Sequence, residues 1–271
     1  MSPRDASVVL TGAAGGLGSA IARRLFEDGA SLLLVGRSEV PLLTLAQSLS
    51  VGACDRSRVD ALVVDLTTDA GRAAVIDAAG ARKANVLINN AAVAAFGPAP
   101  ALQSEEARRL METNVVAPMM LTAGMLPMLL ARSRAQVLNI GSTLGSLGVP
   151  GFSAYAASKA ALRIYSEALR RELADTCVQV QYYAPRAIDT PFNSPEVQAF
   201  NQETNSASDS PEKIARQVSR LLQSRSVQRY AGGFEAIAAR LNGLCPEWLD
   251  GAFAKHRRAL VSLKFPKGAS S

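Results

Sequence analysis

The sequence is poor in cysteine: Cys54, Cys177 and Cys245 are the only three in 271 residues, and none forms a CxxC pair. An odd number without paired spacing argues against a disulfide framework and fits a reducing compartment, so a cytoplasmic setting is expected. His256 is the single histidine, and no His/Cys/acid cluster accompanies it, so no metal is assigned. Aromatic residues make up only 5% against 48% hydrophobic residues overall, so the core must be built from aliphatic and small side chains. The opening "MSPRDASVVL" lacks an apolar stretch leading to a small-residue cleavage site, so no secretory signal is expected. No uninterrupted apolar run of about 18 residues occurs, and so no membrane span is expected. Acid is missing locally: after Asp250 there is none, while Lys255, Arg257, Arg258, Lys264 and Lys267 follow. The formal charge of +6 is thus gathered at one end and the remainder is close to neutral. That distribution argues against a nucleic-acid surface, which needs a basic stripe on the folded body.

What is present is an alternation. "SVVLTG" (7–12), "SLLLVG" (31–36), "VDALVVDL" (59–66), "ANVLINNAA" (84–92), "AQVLNIGS" (135–142) and "VQVQYYAP" (178–185) read as buried strands. Helical stretches are expected at 17–29, 41–49 (opened by Pro41), 69–80, 102–131, 153–174 and about 211–224. Continuous apolar strands joined by helices imply an α/β fold with a parallel sheet covered on both faces. Pro118 and Pro127 should kink or break the 102–131 helix. The polar, proline-bounded segment 193–214 reads as a lid or as a disordered insertion. The expected organisation is one catalytic domain, 1–230, with a substrate loop at about 186–212, followed by a basic amphipathic extension, 231–271.

"TGAAGGLG" (11–18) lies between the first strand and the first helix. Gly12, Gly16 and Gly18 permit a tight turn and close approach to a pyrophosphate, which the helix N-terminus would meet with free N–H groups. At the end of the second strand, where an acid would hold the ribose hydroxyls of NAD, stands Gly36 followed by Arg37. A guanidinium suits a 2′-phosphate, so NADP(H) is favoured over NAD(H), although Arg37 also reads as a solvated strand-end charge. Asp65 is either an acceptor for the adenine amino group or a helix N-cap.

In "YAASKAAL" (155–162), Tyr155 and Lys159 are four apart and share a helix face. A phenol titrates near pH 10, and a cation one turn away favours phenolate and should bring it toward the working range. Ser142 ends the strand "VLNIGS", at the edge where open α/β sheets place their crevice.

TGxxxGxG, N-N-A-x, an Asn in the middle helix, Ser and Y-x-x-x-K, in this order over about 5–192, resemble the short-chain dehydrogenase/reductase family. The resemblance implies a doubly wound Rossmann-type sheet of about seven parallel strands in a three-layer fold. It also implies hydride transfer between a nicotinamide and a carbonyl or alcohol, and a homodimer or homotetramer. By position, Tyr155 matches the general acid/base, Lys159 the ribose-holding lysine, Ser142 the carbonyl-polarising serine and Asn114 the asparagine of a proton relay. Asn89, Asn90 and Ala91 match the segment lying against the cofactor. Leu17 in the glycine turn, Ile188 through its backbone and Thr190 complete the expected cofactor contacts. Two departures stand out: Ala92 where glycine is usual, and Arg186 where glycine follows proline. If position 186 needs positive φ, Arg186 is strained there; otherwise it meets an acidic substrate group or points to solvent.

In the extension, Phe234, Ile237, Leu241 and Leu244 have helical spacing, and Trp248, Phe253, Leu260 and Phe265 alternate with the cations. This composition fits peripheral contact with an anionic membrane, a cover for a long apolar substrate, or a helix packed on its own domain or a subunit interface. The reading that results is an NADPH-dependent ketoreductase or alcohol dehydrogenase acting on a small hydrophobic or acyl-type carbonyl or alcohol. The alternatives are an NAD-dependent secondary-alcohol or steroid dehydrogenase, and a cofactor-binding scaffold without turnover.

Overall fold

The computed structural model describes residues 2–51 and 56–263; Cys54, Lys264, Phe265 and Lys267 of the sequence reading lie outside them. Seven parallel strands form the central sheet: β1 (Ser7–Thr11), β2 (Ser31–Gly36), β3 (Val59–Val63), β4 (Val86–Asn89), β5 (Ala135–Ile140), β6 (Val178–Ala184) and β9 (Gln228–Tyr230). Their order is β3-β2-β1-β4-β5-β6-β9. The winding reverses between β1 and β4, paired through Val8–Val86, Val9–Leu87 and Leu10–Ile88, and this is where a doubly wound sheet opens its crevice. Aliphatic runs such as "VVL" and "LLLV" are buried along their whole length because helices cover both faces.

On one face α1 (Gly16–Glu27), α2 (Glu39–Ser50) and α8 (Pro211–Gln223) bury Ile21, Leu25, Leu42, Ile214 and Leu221 against Leu10, Leu32 and Ile88. On the other, α3 (Asp69–Ala81), α5 (Ala117–Leu130) and α6 (Ser153–Glu172) bury Val75, Leu121, Met125 and Leu169 against Val9, Leu87 and Val137. A smaller apolar cluster at the carboxyl edge joins Phe152 to α7 (Pro195–Thr204) and α10 (Ala254–Ser262).

Several expectations need correction. The 102–131 helix is neither broken nor free of membrane-like character. α4 (Ser104–Met111) runs through a π-helical turn (Glu112–Val116) directly into α5, with Pro118 just past the turn. The wider turn and Pro118 beside it are the features at which helices kink without breaking. The continuous helix Ser104–Leu130 is long and apolar enough to cross a membrane by length and composition, despite its scattered polar residues. Leu110, Leu121, Met125 and Leu129 on its inner side are buried against the fold, so we read it as a core helix.

α2 starts two residues before Pro41, which sits in its first turn. The 193–214 segment is not disordered. Ser194 caps α7 by accepting from the Val197 N–H, Pro195 takes the first helical position, and Asn205 ends the helix at φ +54°. The loop is closed at its base by a two-stranded parallel pair, β7 (Ala187–Ile188) with β8 (Ser208–Asp209). β9 and α9 (Gly233–Leu244) complete the described elements.

Candidate active site

The turn after β1 is shaped by what presses on it. Gly12 has φ +65°, and a Cβ there would stand 2.8 Å from Ala91 Cα, so the β1 and β4 exits touch backbone to backbone. A Cβ on Gly16 would meet Thr190 Cγ2 at 2.7 Å, placing the 187–193 segment directly over the start of α1. Gly18 is buried beneath the Gly12 carbonyl, and Leu17 packs at the margin of the core. No side chain caps the N-terminus of α1, so its first N–H groups face the crevice uncommitted. An uncapped helix start beneath a glycine cradle fits a dinucleotide pyrophosphate.

The β4 exit is clamped to this turn by residues that the motif reading passed over lightly. Thr11 Oγ1 accepts from the Asn90 and Ala91 N–H groups at 2.9 and 3.0 Å, and Asn90 Nδ2 donates to the Thr11 and Gly12 carbonyls at 3.0 and 3.2 Å. Asn89 turns its side chain the other way, into the helix layer, donating to Thr122 Oγ1 at 3.0 Å and Asn139 Oδ1 at 2.8 Å. Strand alternation separates the two neighbours.

At the far end of the crevice, Arg37 is exposed just past β2. Asp65 follows β3 and is not the helix cap. Thr68 caps α3 by accepting from the Gly71 N–H, while Asp65 Oδ1 accepts from the Thr67 N–H at 2.9 Å and hydroxyl at 2.8 Å. The Thr67 N–H chiefly holds the Asp65 carboxyl below its ordinary value, with a smaller contribution from Arg37.

Asn114 lies in the π-helical turn, 1% exposed. It accepts from the Val93 N–H at 2.8 Å and donates to the Val93 carbonyl at 2.9 Å and Ser158 Oγ at 3.1 Å. It therefore ties the β4 exit to α6, the helix carrying Tyr155 and Lys159.

Ser142 follows β5 and is buried, its Oγ accepting from the Leu144 N–H at 3.1 Å. That bond orients the hydroxyl, which stands near enough to the Tyr155 phenol to favour its ionised form. Beneath it Tyr182 of β6, which sequence reasoning missed, donates to the Ser142 carbonyl at 3.3 Å. The signal was present in "NIGS": a Cβ on Gly141 would overlap Tyr182 Oη at 2.0 Å, so that glycine makes room for the ring.

Lys159 is buried, its Nζ 3.3 Å from the Ile140 carbonyl and 5.7 Å from the Tyr155 ring centroid. Shared desolvation acts on both groups. It pushes the Tyr155 phenol above its ordinary range, opposed by the nearby Ser142 hydroxyl, and brings Lys159 down to about 8. The expected lowering of the phenol by Lys159 is thus outweighed by burial in the free chain. The pair stands close with both protons held on at neutral pH.

Arg186 is neither strained nor free. Its φ is not positive; Nε and Nη2 donate to Asp209 Oδ2 and Oδ1 at 2.8 and 2.9 Å, and Nη1 reaches Glu235 Oε1 of α9 at 3.3 Å. Lys213 Nζ donates to the same Asp209 at 2.6 Å. The clasp joins the β6 exit, the end of the loop and α9. Beside it, Asn193 Nδ2 donates to the Ile188 carbonyl at 2.7 Å and the Asn193 N–H to the Thr190 carbonyl at 3.1 Å, which folds the segment back on itself.

The substrate side of Tyr155 is apolar. Phe152 and Phe192 stand with ring centroids 6.4 Å from it, and Phe96 and Phe200 pack on Phe152 at 4.7 and 5.9 Å. Leu260 and Leu263 from the α10 end close the cluster. Among the described residues, no group of three or more His, Cys, Asp or Glu side chains is placed to hold a metal.

The sequence pattern of the short chain dehydrogenase family matches residues 6–200. Sulfoacetaldehyde reductase 2 of Chromohalobacter salexigens is 36% identical over 190 residues, 68% of this chain and 73% of that protein. The ketoacyl reductase HetN of Nostoc sp. is 29% identical over 231 residues, 82% of this chain and 77% of that protein. Among solved structures, actinorhodin polyketide ketoreductase with NADPH superposes with a TM-score of 0.76 at 27% identity, over 86% of this chain and 98% of the other.

Proposed function

The chain belongs to the short-chain dehydrogenase family and is an oxidoreductase, and from that premise we propose that it is an NADPH-dependent ketoreductase for an apolar, acyl-type carbonyl. The observation that carries this reading is the meeting of three groups at the carboxyl edge of the sheet: the buried Ser142 hydroxyl beside the Tyr155 phenol, with the Lys159 amine 5.7 Å from its ring.

When bound, the nicotinamide cofactor supplies a hydride to the carbonyl carbon or takes one back from the alcohol. The glycine turn with Leu17 and the start of α1 would hold its pyrophosphate, Arg37 the 2′-phosphate, Asp65 the adenine, Asn89 and Ala91 the middle of the molecule through their backbone, and Ile188 and Thr190 the nicotinamide end. Arg37 beside Gly36, with no acid at that position, supports NADPH over NADH, while solved structures of like fold carry either cofactor.

Ser142, its lone pair engaged by the Leu144 N–H, donates to the substrate oxygen as negative charge develops there. Tyr155 gives that oxygen its proton. Lys159, titrating at about 8, holds a proton close by and returns it to the phenol. Asn114 fixes α6 against the β4 exit and serves the relay that refills the pair. The phenylalanine wall and Leu260 exclude water from the reacting centre and favour an apolar chain.

Two further assignments belong to this reading. The enzyme is cytoplasmic, as its sparse, unpaired cysteines suggest. It forms a homodimer or homotetramer, to which the exposed Met119 and Met120 of α5 and Ile164 of α6 offer apolar contact.

The test is oxidation of NADPH and, in parallel, NADH against ketones of graded chain length. NADPH should be used at least about tenfold more efficiently, with efficiency rising along the apolar series. Equal use of both cofactors overturns the NADPH assignment, and no turnover with any ketone overturns the ketoreductase.

A further inference from the structure

α9 is put together inside out. Its body-facing side carries Glu235, bound by Arg186, Ala239, which is buried, and Asn242, whose Nδ2 donates to the Ser146 carbonyl at 2.9 Å. These lie at i, i+4 and i+7 and define one face. Phe234, Ile237, Leu241 and Leu244 fall on the opposite face, and all four are exposed, Phe234 to 80%. Just beyond the helix, Trp248 is 72% exposed. A helix on a self-contained domain turns its large apolar residues inward; this one packs an alanine and polar anchors and leaves its large apolar residues outside.

The charges beside this stripe say what covers it. Arg240 on α9 and Lys255, Arg257 and Arg258 on α10 are all exposed. Of the acids nearby, Glu235 is already bonded to Arg186, and Glu247 and Asp250 stand exposed on either side of Trp248, so the four exposed cations outnumber the exposed, unengaged acids two to one. A second copy meeting the stripe about a two-fold axis could pair only half of these cations with Glu247 and Asp250 and would set the remaining positive charge against itself. An anionic bilayer instead offers an apolar interior to the stripe, headgroup phosphates to the cations and an interfacial level suited to Trp248.

We propose that α9 and the adjoining residues up to Arg258 form a peripheral docking surface for an anionic lipid bilayer. α10 belongs to the same unit and also closes the aromatic cluster beside Tyr155 through Ala259 and Leu260. Docking sets the substrate wall next to the layer in which an apolar carbonyl dissolves; this last consequence, unlike the docking itself, rests on the ketoreductase reading.

The experiment is flotation of the full chain with vesicles of phosphatidylcholine alone and of phosphatidylcholine containing phosphatidylglycerol. Wild type should float with the anionic vesicles and bind the neutral ones at least tenfold more weakly. The triple variant Phe234→Ser/Leu244→Ser/Trp248→Ser changes only exposed side chains. It should stay soluble, keep its turnover in detergent-free buffer and lose vesicle binding. The pair Arg240→Glu/Arg258→Glu should bind anionic vesicles at least tenfold less well. Wild type that remains unbound, or a triple variant that floats as well as wild type, overturns the proposal. So does a triple variant that drops from dimer to monomer in sedimentation, since a second copy then covers the stripe. Vesicle binding without turnover on any ketone would instead fault the ketoreductase reading alone.

Discussion

Arg186 holds Asp209 with both arms of its guanidinium, at 2.8 and 2.9 Å, and the carboxylate so held is only 3% exposed. The two residues bracket the substrate loop, since Asp209 closes β8 at the loop's end and Arg186 precedes β7 at its start. A bidentate pair of this kind fixes direction as well as distance.

Replacing Arg186 by Met leaves a buried carboxylate with Lys213 as its one strong partner, and should cost about 2 kcal/mol of unfolding free energy. Asp209→Asn should cost a similar amount, and the double variant less than the sum of the two. The arginine above all, helped by Lys213, holds the Asp209 carboxyl below its ordinary value. The clasp therefore contributes fully above about pH 4, and its contribution fades as pH falls through the lowered folded value. Urea unfolding of the four proteins at neutral and acid pH checks both statements: the gap between wild type and Arg186→Met should narrow only on the acid side.

Lys159 makes the opposite prediction. It titrates at about 8 in the folded chain against 10.5 for a free lysine. Between those values the unfolded chain holds more protons, so stability from this group rises as pH rises through the window. At pH 7 the buried ammonium is a liability. Lys159→Met should raise the stability of the cofactor-free protein there by about 1–2 kcal/mol while abolishing turnover, and its advantage should vanish near pH 10.5. Denaturant midpoints across the window provide the measurement.

Cofactor choice is tested at the end of β2. A Cβ on Gly36 would approach Leu42 Cδ1 no closer than 3.4 Å, so a side chain there is tolerated. Gly36→Asp should repel a 2′-phosphate and accept ribose hydroxyls, moving the NADPH-to-NADH efficiency ratio toward NADH by about a hundredfold. Arg37→Ala should raise the KM for NADPH about tenfold with little change in kcat and none for NADH.

Gly16 tests the cradle itself. A side chain there would meet Thr190 Cγ2 at 2.7 Å and displace the segment lying over the start of α1. Gly16→Val should weaken NADPH binding at least tenfold with unchanged secondary structure, and Thr190→Ala in the same chain should recover part of the loss. Titration of cofactor fluorescence reads both effects.

What the sequence makes legible here is local. The glycine turn, the Tyr155–Lys159 spacing and the strand-end Ser142 each depend on neighbours within a few residues, and the parallel sheet follows from uninterrupted aliphatic runs. What escaped depends on partners far along the chain. Nothing beside Arg186 announces Asp209 twenty-three positions later, and nothing in "VQYY" says that Tyr182 reaches back to Ser142. The helix within 195–204 is a different kind of miss. Ser194 and Pro195 supply its start signals, but the surrounding polar composition hid a buried face made of Val197, Phe200 and Thr204. β9 is three residues long at the sheet edge, too short to show any period. The lowering of the phenol expected from Lys159 failed for a physical reason: spacing along a helix reports proximity, while burial, which acts on both groups, is a property of the whole fold.

Turnover rests on proton transfer by one phenol. The most direct measurement is single-turnover oxidation of NADPH by Tyr155→Phe with a ketone that the wild type reduces, alongside the affinity of the variant for NADPH. Removing the hydroxyl should leave cofactor affinity within about twofold and slow reduction by about 10³-fold, the scale of a lost general acid. Reduction at the wild-type rate would contradict it.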